Sequence, residues 1–279
     1  MMGATELLDL AAQLKAREES FVLATVVRTV SVTAAKAGAK AIIRSDGTIV
    51  AGWIGGGCAR GAVLKAAREA LADGIPRMIS VQPDNLLAEL GVRPGETREG
   101  VRFAANMCPS QGTMDVFVEP VLPHPSLVIF GASPVALSLA AQARPLGYHV
   151  TLAAPAADLV ATPEVDVCVD GFALEQLAGG ARFIVVSTQG KGDEVALRAA
   201  LSCDATYLAF VGSRRKMDSL RDKLIKDGID AALLDRVKAP AGLDLGAITP
   251  EEIAMSILAE ITRERRRGQR AASQTASRE

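Results

Sequence analysis

The chain has 279 residues, with 31 basic and 32 acidic side chains and a formal net charge of -1. Apolar residues make up 49% and charged residues 23%, a balance that excludes a wholly disordered chain. The near-neutral charge and the 4% aromatic content exclude a strongly basic or base-stacking surface for nucleic acid. Since one domain takes about 150 residues, the length predicts about two domains, or one large one.

The chain carries no sign of export or membrane insertion. Its N-terminus lacks a basic segment followed by an apolar one, so we expect a cytoplasmic protein. The charge-free stretch 121–143 contains prolines and a glycine, and it predicts linker, strand, turn and helix rather than a membrane span. The four cysteines show no C-x-x-C spacing, and there are only two histidines. This pattern disfavours a zinc site, a secreted disulfide framework and a histidine-based hydrolase site.

The first half predicts an α+β domain over residues 1–119. In chain order we expect a helix, a strand, a hairpin, a second helix and a closing strand, at 7–14, 21–30, 39–44 paired with 48–54, 59–72 and 114–119. The hairpin depends on Asp46-Gly47, a dipeptide that favours a two-residue turn. The polar, Gly/Pro-bearing stretch 75–113 is assigned no element.

The second half predicts a Rossmann-like, doubly wound parallel sheet over residues 127–267, after a proline-rich linker at 120–126. Continuous apolar strands alternate there with helical segments, which is typical of a parallel sheet covered on both faces. The strands are expected at 127–130, 149–153, 165–169, 183–186 and 207–211, with a helix at 135–143.

The final helix has a defined start. Thr249 as N-cap, Pro250 at the first position and Glu252 at the third form a capping box. We interpret the arginine-rich segment 263–267 as a solvated helix end rather than a partner-binding patch. Residues 268–279 are expected to form a flexible tail.

The segment Gly55-Gly56-Gly57-Cys58 is the first candidate site. Glycines after a strand let the backbone approach a ligand, and the following helix supplies unpaired N–H groups and a partial positive charge. Cys58 beside a helix N-terminus is placed as reactive thiolates are. The same pattern also fits a tight turn with a half-buried cysteine, and both interpretations stay open.

The second candidate lies at Gly131-Ala132-Ser133, where a dinucleotide fingerprint G-x-G-x-x-G is expected. Only the first glycine is present, and the next strand ends without the acidic residue that binds a ribose. Asp158 is a weak substitute for it. This pattern disfavours NAD or NADP but leaves a phosphate-bearing ligand open.

The third candidate is Gly212-Ser213-Arg214-Arg215-Lys216, directly after an apolar strand. Three cations at a helix N-terminus are electrostatically unfavourable unless an anion compensates them. We therefore expect a phosphate or carboxylate ligand, or an acidic partner, at this turn; an exposed basic turn is the alternative. Asp193, after the preceding strand, is expected to cap its helix.

The remaining cysteines divide into two groups. Cys108 lies in a loop before the last strand of the first half, where either a reactive thiol or a structural turn fits the pattern. Cys168 and Cys203 lie in or beside apolar strands, so we expect both in the core.

Together these segments resemble the XdhC/CoxI family of molybdenum-hydroxylase accessory proteins. The resemblance covers most of the chain and depends on GWIGGGCARGAVLKAAREAL, LVIFGAS, VGSRRK and APAGLDLGAITPEEIAMSILAEI. Family members commonly carry glycine at the position of Ser133, an acid near Ala154 and a cysteine at the position of Ser110. The sequence looks like the carbon monoxide dehydrogenase branch.

The resemblance implies a homodimeric maturation factor without catalytic turnover of its own. Such a protein binds molybdenum cofactor, as molybdopterin or its cytosine dinucleotide form, and assists its sulfuration with a cysteine desulfurase. It then delivers the cofactor to an apo-hydroxylase of the xanthine or carbon monoxide dehydrogenase type. An NAD(P)-dependent oxidoreductase and a cofactor-free scaffold for the hydroxylase are the alternatives.

The resemblance and the residues together assign the expected site. Cys58 would contact sulfur, molybdenum or copper, with Cys108 as a weaker second thiol. The expected cofactor-binding residues are Gly55, Gly56, Gly57, Gly131, Ser133, Arg214, Arg215 and Lys216.

Overall fold

The structure is a computed structural model that describes residues 4–109, 111–159, 163–174 and 182–276, with the side chains of Cys58 and of 268–276 left undescribed. The chain divides into two compact units, and the division falls between Pro123 and His124. This point lies within the linker predicted at 120–126. Ser110 lies outside the described residues.

The first unit is an α+β arrangement built around one mixed sheet. Its elements are α1 (Ala4–Ala16), β1 (Phe21–Val30), β2 (Lys40–Arg44), β3 (Ile49–Gly52), α2 (Gly57–Asp73), β4 (Arg77–Gln82), α3 (Asp84–Leu90), β5 (Thr97–Arg98), β6 (Val101–Ala105) and β7 (Thr113–Val121). The seven strands follow the order β3-β2-β1-β7-β4-β6-β5. Among the strand pairs of this sheet that the structure describes, β4–β6 is parallel and the others are antiparallel.

Alternation along the strands directs side chains to the two faces of this sheet. In β2, Ala41 and Ile43 pack into the core that α2 covers, whereas Ile42 packs with Leu7 and Leu14 of α1. The hairpin prediction is confirmed, because Gly47 adopts φ +85° and Thr48 N donates to Asp46 Oδ1 at 2.7 Å.

The stretch 75–113, to which the sequence assigned no element, contains β4, α3, β5 and β6. These elements are short, and α3 has seven residues. Elements of this length give too few repeats for a periodic pattern. Pairing of β4 with both β6 and β7 stabilises them in the folded sheet.

The second unit alternates strands and helices. Its elements are β8 (Ser126–Phe130), α4 (Pro134–Ala143), β9 (His149–Ala154), β10 (Val167–Asp170), β11 (Arg182–Val186), α5 (Asp193–Leu201), β12 (Tyr207–Phe210), α6 (Arg214–Lys226), α7 (Ala231–Asp235), β13 (Val237–Lys238) and α8 (Pro250–Ala276), with single 3-10 turns at Arg144–Leu146 and Ala156–Asp158.

The six strands of this unit are parallel and follow the order β10-β9-β8-β11-β12-β13. Counted from β8, this is the 3-2-1-4-5-6 order of the Rossmann fold. Helices α4 and α8 pack on one face, and α5, α6 and α7 pack on the other. The predicted doubly wound sheet is therefore confirmed.

The capping box of α8 forms as predicted. Glu252 N donates to Thr249 Oγ1 at 3.3 Å, and Thr249 N donates to Glu252 Oε2 at 3.0 Å. The helix differs from the prediction at its other end, because it continues through Gly268 to Ala276. One glycine costs a helix only about 1 kcal/mol, which flanking helix-forming residues can offset.

The core prediction for Cys168 is wrong. Cys168 is exposed, because it lies on β10, the edge strand of the sheet, where three of the four residues are exposed. Cys203 is half-buried, and its Sγ lies 3.4 Å from the Ala199 carbonyl oxygen. Burial raises the pKa of the Cys203 thiol, so this cysteine stays protonated at neutral pH.

Candidate functional site

An open cavity of about 350 Å³ in the first unit contains the first predicted loop. Four chain segments form it: the loop that follows β1, the glycines between β3 and α2 with the start of α2, Val81 of β4, and the loop before β7 with the start of that strand. The lining residues are Val32, Thr33, Ala34, Gly55, Gly56, Gly57, Ala59, Val81, Asn106, Met107, Cys108, Gly112 and Met114.

The glycine loop has a geometry that side chains would disturb. Gly55 adopts φ +104° and Gly57 φ +35°, both in the left-handed region. A Cβ on Gly55 would also lie 3.3 Å from Met114 Cε. Gly56 has an ordinary φ, and a Cβ there would have nothing within 4 Å, so this glycine leaves space in the cavity.

Gly56 is the N-cap of α2, and because it has no side chain it accepts no capping hydrogen bond from the helix N-terminus. Serine, threonine, aspartate and asparagine are the usual N-caps, and each would satisfy one of the amides at this end. No acidic residue lies in the first turn of α2. The first turn therefore presents backbone donors at the cavity, which suits an anionic ligand.

Cys58 is the second residue of α2, between the lining residues Gly57 and Ala59. Its backbone therefore lies at the cavity. The role expected of its thiol stays a prediction.

The loop before β7 brings Cys108 to the same cavity. Cys108 is exposed, and its N–H donates to Asn106 Oδ1 at 3.0 Å. Asn106 Nδ2 donates in turn to the Gly112 carbonyl at 2.6 Å. A Cβ on Gly112 would meet the Val32 carbonyl and lie 2.7 Å from Thr33 Cγ2. The loop is thus held against the chain that follows β1, and Cys108 is held at the cavity.

Sequence reasoning missed the apolar side of this cavity. Met107 is 79% exposed and Val32 is 68% exposed, and both line it. Exposed apolar side chains beside backbone donors suit a ligand that has a flat apolar part and an anionic part. The signal in the sequence was the position of Met107 beside Cys108, whereas Val32 lies far away along the chain.

The structure gives the Gly131 turn a packing role. Gly131 adopts φ +115°, and a Cβ there would lie 2.7 Å from the Ser187 carbonyl carbon. The buried Ser133 hydroxyl accepts from Ala136 N at 3.1 Å and lies 2.7 Å from Ser187 Oγ. This hydroxyl caps α4 and ties together the turns that follow β8 and β11, the two strands at the switch point of the sheet.

Asp158, the weak substitute for a ribose-binding acid, forms an ion pair with Lys191 at 3.5 Å. Ser133, at the position of the second fingerprint glycine, bonds Ser187, and the weak substitute for the ribose-binding acid is likewise paired within the protein. This arrangement adds to the sequence argument against an ordinary NAD site.

The three cations predicted to act together are separated. Lys216 Nζ lies 2.6 Å from Asp193 Oδ2 and 5.5 Å from the centre of the Phe210 ring. Asp193 also accepts hydrogen bonds from Thr188 Oγ1 and from Gly190 N. The anion that compensates Lys216 is therefore internal. Arg214 and Arg215 are exposed and form no ion pair within the described part of the chain.

Asp193 was predicted to be the N-cap of its helix, but Gly192 is the N-cap of α5 and Asp193 is the first helical residue. Its carboxylate instead binds Gly190 N in the preceding turn. Burial raises the pKa of Asp193, but hydrogen bonds from Lys216, Thr188 and Gly190 together lower it by more. The net pKa therefore lies below its ordinary value of 3.8. The carboxylate is therefore ionised and holds the β11–α5 turn.

We expect Lys216→Ala to lower the free energy of unfolding by about 1–3 kcal/mol, because it leaves a buried carboxylate without its cation. Arg215→Ala, which removes an adjacent exposed cation, should change stability by no more than about 0.5 kcal/mol. Because the pKa of Asp193 is lowered on folding, its ionised carboxylate contributes to the free energy of unfolding above pH 3.8. This contribution is lost as the pH falls through the folded-state pKa. Thermal melting at neutral and acidic pH measures both effects, and equal losses in the two variants would contradict the assignment.

Across the described residues, no group of three or more His, Cys, Asp or Glu side chains is arranged to hold a metal ion. In the same part of the chain, every helix is too short or too polar to cross a lipid bilayer. Metal contact by Cys58 or Cys108 therefore stays a prediction.

Two family descriptions match the chain. Residues 127–261 match the XdhC Rossmann domain, and residues 14–82 match the XdhC and CoxI family. The first match covers β8 to the middle of α8, and the second includes the glycine loop and α2.

Two curated relatives and one solved structure are similar to the chain. The uncharacterized protein YqeB of Escherichia coli strain K12 is 27% identical over 263 residues, which cover 90% of this chain and 44% of YqeB. A probable xanthine dehydrogenase subunit of Bacillus subtilis strain 168 is 28% identical over 163 residues, 56% of this chain and 47% of that protein. The chain thus spans less than half the length of either relative.

A crystal structure described as a xanthine dehydrogenase from Bacillus halodurans aligns with 93% of this chain and 95% of its own. The sequence identity is 19% and the TM-score is 0.45.

Proposed function

The chain belongs to the XdhC and CoxI family, and on that basis we propose that it is an accessory protein of a molybdenum hydroxylase. It binds molybdenum cofactor as cargo, assists its sulfuration together with a cysteine desulfurase, and delivers it to the apo-hydroxylase. The hydroxylase is of the xanthine or carbon monoxide dehydrogenase type. The relative described as a probable xanthine dehydrogenase subunit supports the xanthine dehydrogenase type.

The observation that carries the proposal is the cavity at the N-terminus of α2. Molybdopterin has a flat pterin and a phosphate, and it binds molybdenum through sulfur. The uncapped amides at Gly56 and Gly57 suit the phosphate, and the exposed apolar side chains of Val32 and Met107 suit the pterin.

Cys58 supplies the thiol at this site. A cysteine in the first turn of a helix is favoured as a thiolate, which is the form that contacts metals or carries sulfur. Cys108, on the facing loop of the same cavity, supplies a second thiol. Cargo held here is retained by charge, by packing and by sulfur contact.

The oxidoreductase alternative receives less support. The hydroxyl of Ser133 bonds Ser187, and Asp158 pairs with Lys191, so the fingerprint turn offers little to a dinucleotide. The scaffold alternative predicts that the protein binds hydroxylase but no pterin, and the pterin content of the purified protein separates it from the proposal.

We expect wild-type protein purified from molybdate-fed cells to carry pterin and molybdenum, and Cys58→Ser to carry about tenfold less molybdenum or lower still, because loss of a metal-site residue costs at least this factor in affinity. Cys168→Ser, which changes an exposed cysteine of the second unit, is the matched control and should equal wild type. Pterin fluorescence and metal analysis measure the two contents.

Absence of pterin from wild-type protein, even after incubation with free cofactor, would contradict cargo binding and favour the scaffold. Retention of full molybdenum in Cys58→Ser would leave cargo binding intact but contradict the role given to this thiol. Circular dichroism of the variants checks that each is folded.

A further inference from the structure

A second, larger cleft lies within the Rossmann unit, away from the fingerprint turn. It has a volume of about 710 Å³ and lies where β12 and β13 end. Ligands of open α/β sheets bind outside the carboxyl ends of the strands. Its lining comes from the turn after β12, from Lys238 and the 239–247 loop after it, and from α8.

The 239–247 loop that forms one wall is anchored at several points. Ala241 N donates to the Phe210 carbonyl at 3.0 Å, and Leu243 N donates to the Ser256 carbonyl of α8 at 3.2 Å. Gly242 adopts φ +93°, and a Cβ there would meet Ser256 Oγ and lie 3.1 Å from Ile257 N. A loop packed this closely against a helix keeps the cleft open without a ligand.

One more basic than acidic side chain lines the cleft. Lys238 and Arg263 both contact the buried carboxylate of Glu260, with Arg263 at 2.9 Å. Arg214 stands at the N-terminus of α6 and has no ion-pair partner within the described ranges. Three cations thus line the cleft against two carboxylates, Glu260 and Asp244. The remaining positive charge lies on the side chain with the greatest freedom to bind an anion, Arg214.

Apolar side chains form the rest of the cleft. Val211, Pro240, Leu243, Leu245 and Ile253 line it together with the glycine backbone of the loop. Inorganic phosphate alone would leave most of the volume empty and these side chains uncovered. A volume of this size suits a small organic ligand, and the lining suits one with an anionic group and a flat body.

We propose that this cleft binds a nucleoside phosphate, with the phosphate at Arg214 and the N-terminus of α6 and the base along the apolar wall. The site is separate from the fingerprint turn, since it uses the ends of β12 and β13 rather than of β8. It goes beyond the proposed function and does not require it, because none of the residues at the α2 cavity takes part.

Arg214 and Arg215 form a matched pair for the test. Both are exposed arginines in the first turn of α6, but only Arg214 lines the cleft. We expect ATP or CTP to bind wild-type protein and Arg214→Ala to weaken binding about tenfold or more, since a hydrogen bond to a charged group contributes about 1.5–3 kcal/mol. Arg215→Ala should stay within about twofold of wild type, because exposed pairs contribute little. Isothermal titration at fixed ionic strength measures the affinities.

Each outcome bears on the proposal. Failure of both nucleotides to bind up to millimolar concentration would overturn it, as would equal weakening by the two arginine substitutions. Binding of inorganic phosphate as tight as that of the nucleotides would overturn the role of the apolar wall. Cys58→Ser should keep nucleotide binding unchanged, so a failure of the proposed function is distinguishable from a failure here. Melting curves of Arg214→Ala confirm that it is folded.

Discussion

Replacement of Glu260 by alanine is expected to lower the free energy of unfolding of the Rossmann unit by about 3–5 kcal/mol, because it breaks a buried ionic network by removing its central partner. Glu260 is 0% exposed. Its carboxylate accepts from Tyr207 Oη at 2.7 Å and from Gly242 N at 3.0 Å. Lys238 and Arg263 supply the cations.

The pH dependence of this network follows from its contacts. Burial raises the pKa of Glu260, but hydrogen bonds from Lys238 and Tyr207 together lower it by more. The net pKa therefore lies below its ordinary value of 4.5. The native state therefore binds fewer protons than the unfolded state. The contribution of Glu260 is complete above pH 4.5 and is lost as the pH falls through the folded-state pKa.

Denaturant unfolding and hydrogen exchange of peptides from 239–262 measure the loss. Glu260→Gln keeps the shape but removes the charge, so it should retain part of the stability and show a weaker dependence on acidic pH. Glu264→Ala, which removes the next acid that Arg263 contacts, is the control and should cost no more than about 1 kcal/mol because its pairs are more exposed. Equal losses for Glu260→Ala and Glu264→Ala would contradict the network.

Gly131→Ala is expected to destabilise the same unit by about 2–6 kcal/mol. A left-handed φ costs a residue with a Cβ about 1–3 kcal/mol, and an overpacked contact costs about 1–3 kcal/mol more. The contact is with the Ser187 and Thr188 backbone, which β11 holds in place. The backbone can relieve it only by separating the turns after β8 and β11.

Gly171→Ala isolates the contact from the backbone conformation. Gly171 adopts φ +82°, also in the left-handed region, but has nothing within 4 Å of a Cβ. It should therefore show the backbone cost alone, and the difference between the two variants in chemical denaturation measures the steric clash. If Gly131→Ala were no less stable than Gly171→Ala and lost only ligand binding, the fingerprint turn would be a binding turn after all.

Much of the secondary structure could be predicted locally. Five of the six Rossmann strands are mainly apolar runs, the Asp46-Gly47 turn defines its hairpin, and the box of Thr249 and Glu252 starts α8. The two-residue strand β13 has no such run and was not predicted. These features depend on residues within a few positions of one another, which is why the pattern was sufficient. The elements of 75–113 failed this condition, because β4 depends on pairing with β7, and β6 and β5 are added to the sheet beyond β4.

The candidate site could be predicted only in part. The spacing of Gly55, Gly56 and Gly57 before α2 indicated a ligand-binding turn, and the structure leaves that helix end uncapped. Nothing local indicated that Asn106 and Cys108 would face the same cavity, since β7 and β1 bring them there through long-range pairing. The internal partner of Lys216 could not be predicted for the same reason, because Asp193 comes from α5. An anionic ligand at Arg214 and Arg215 stays a prediction.

The sequence by itself indicated the fold class and the family, because these properties depend on composition, periodicity and short motifs. The tertiary structure decided which residues meet. In the folded protein Ser133 bonds Ser187, and Lys216 forms an ion pair with Asp193. Arg214 lines a cleft, and the buried Glu260 contacts four donors. A charge or hydroxyl takes its role from partners that the folded sheet brings close, and sequence separation does not reveal them.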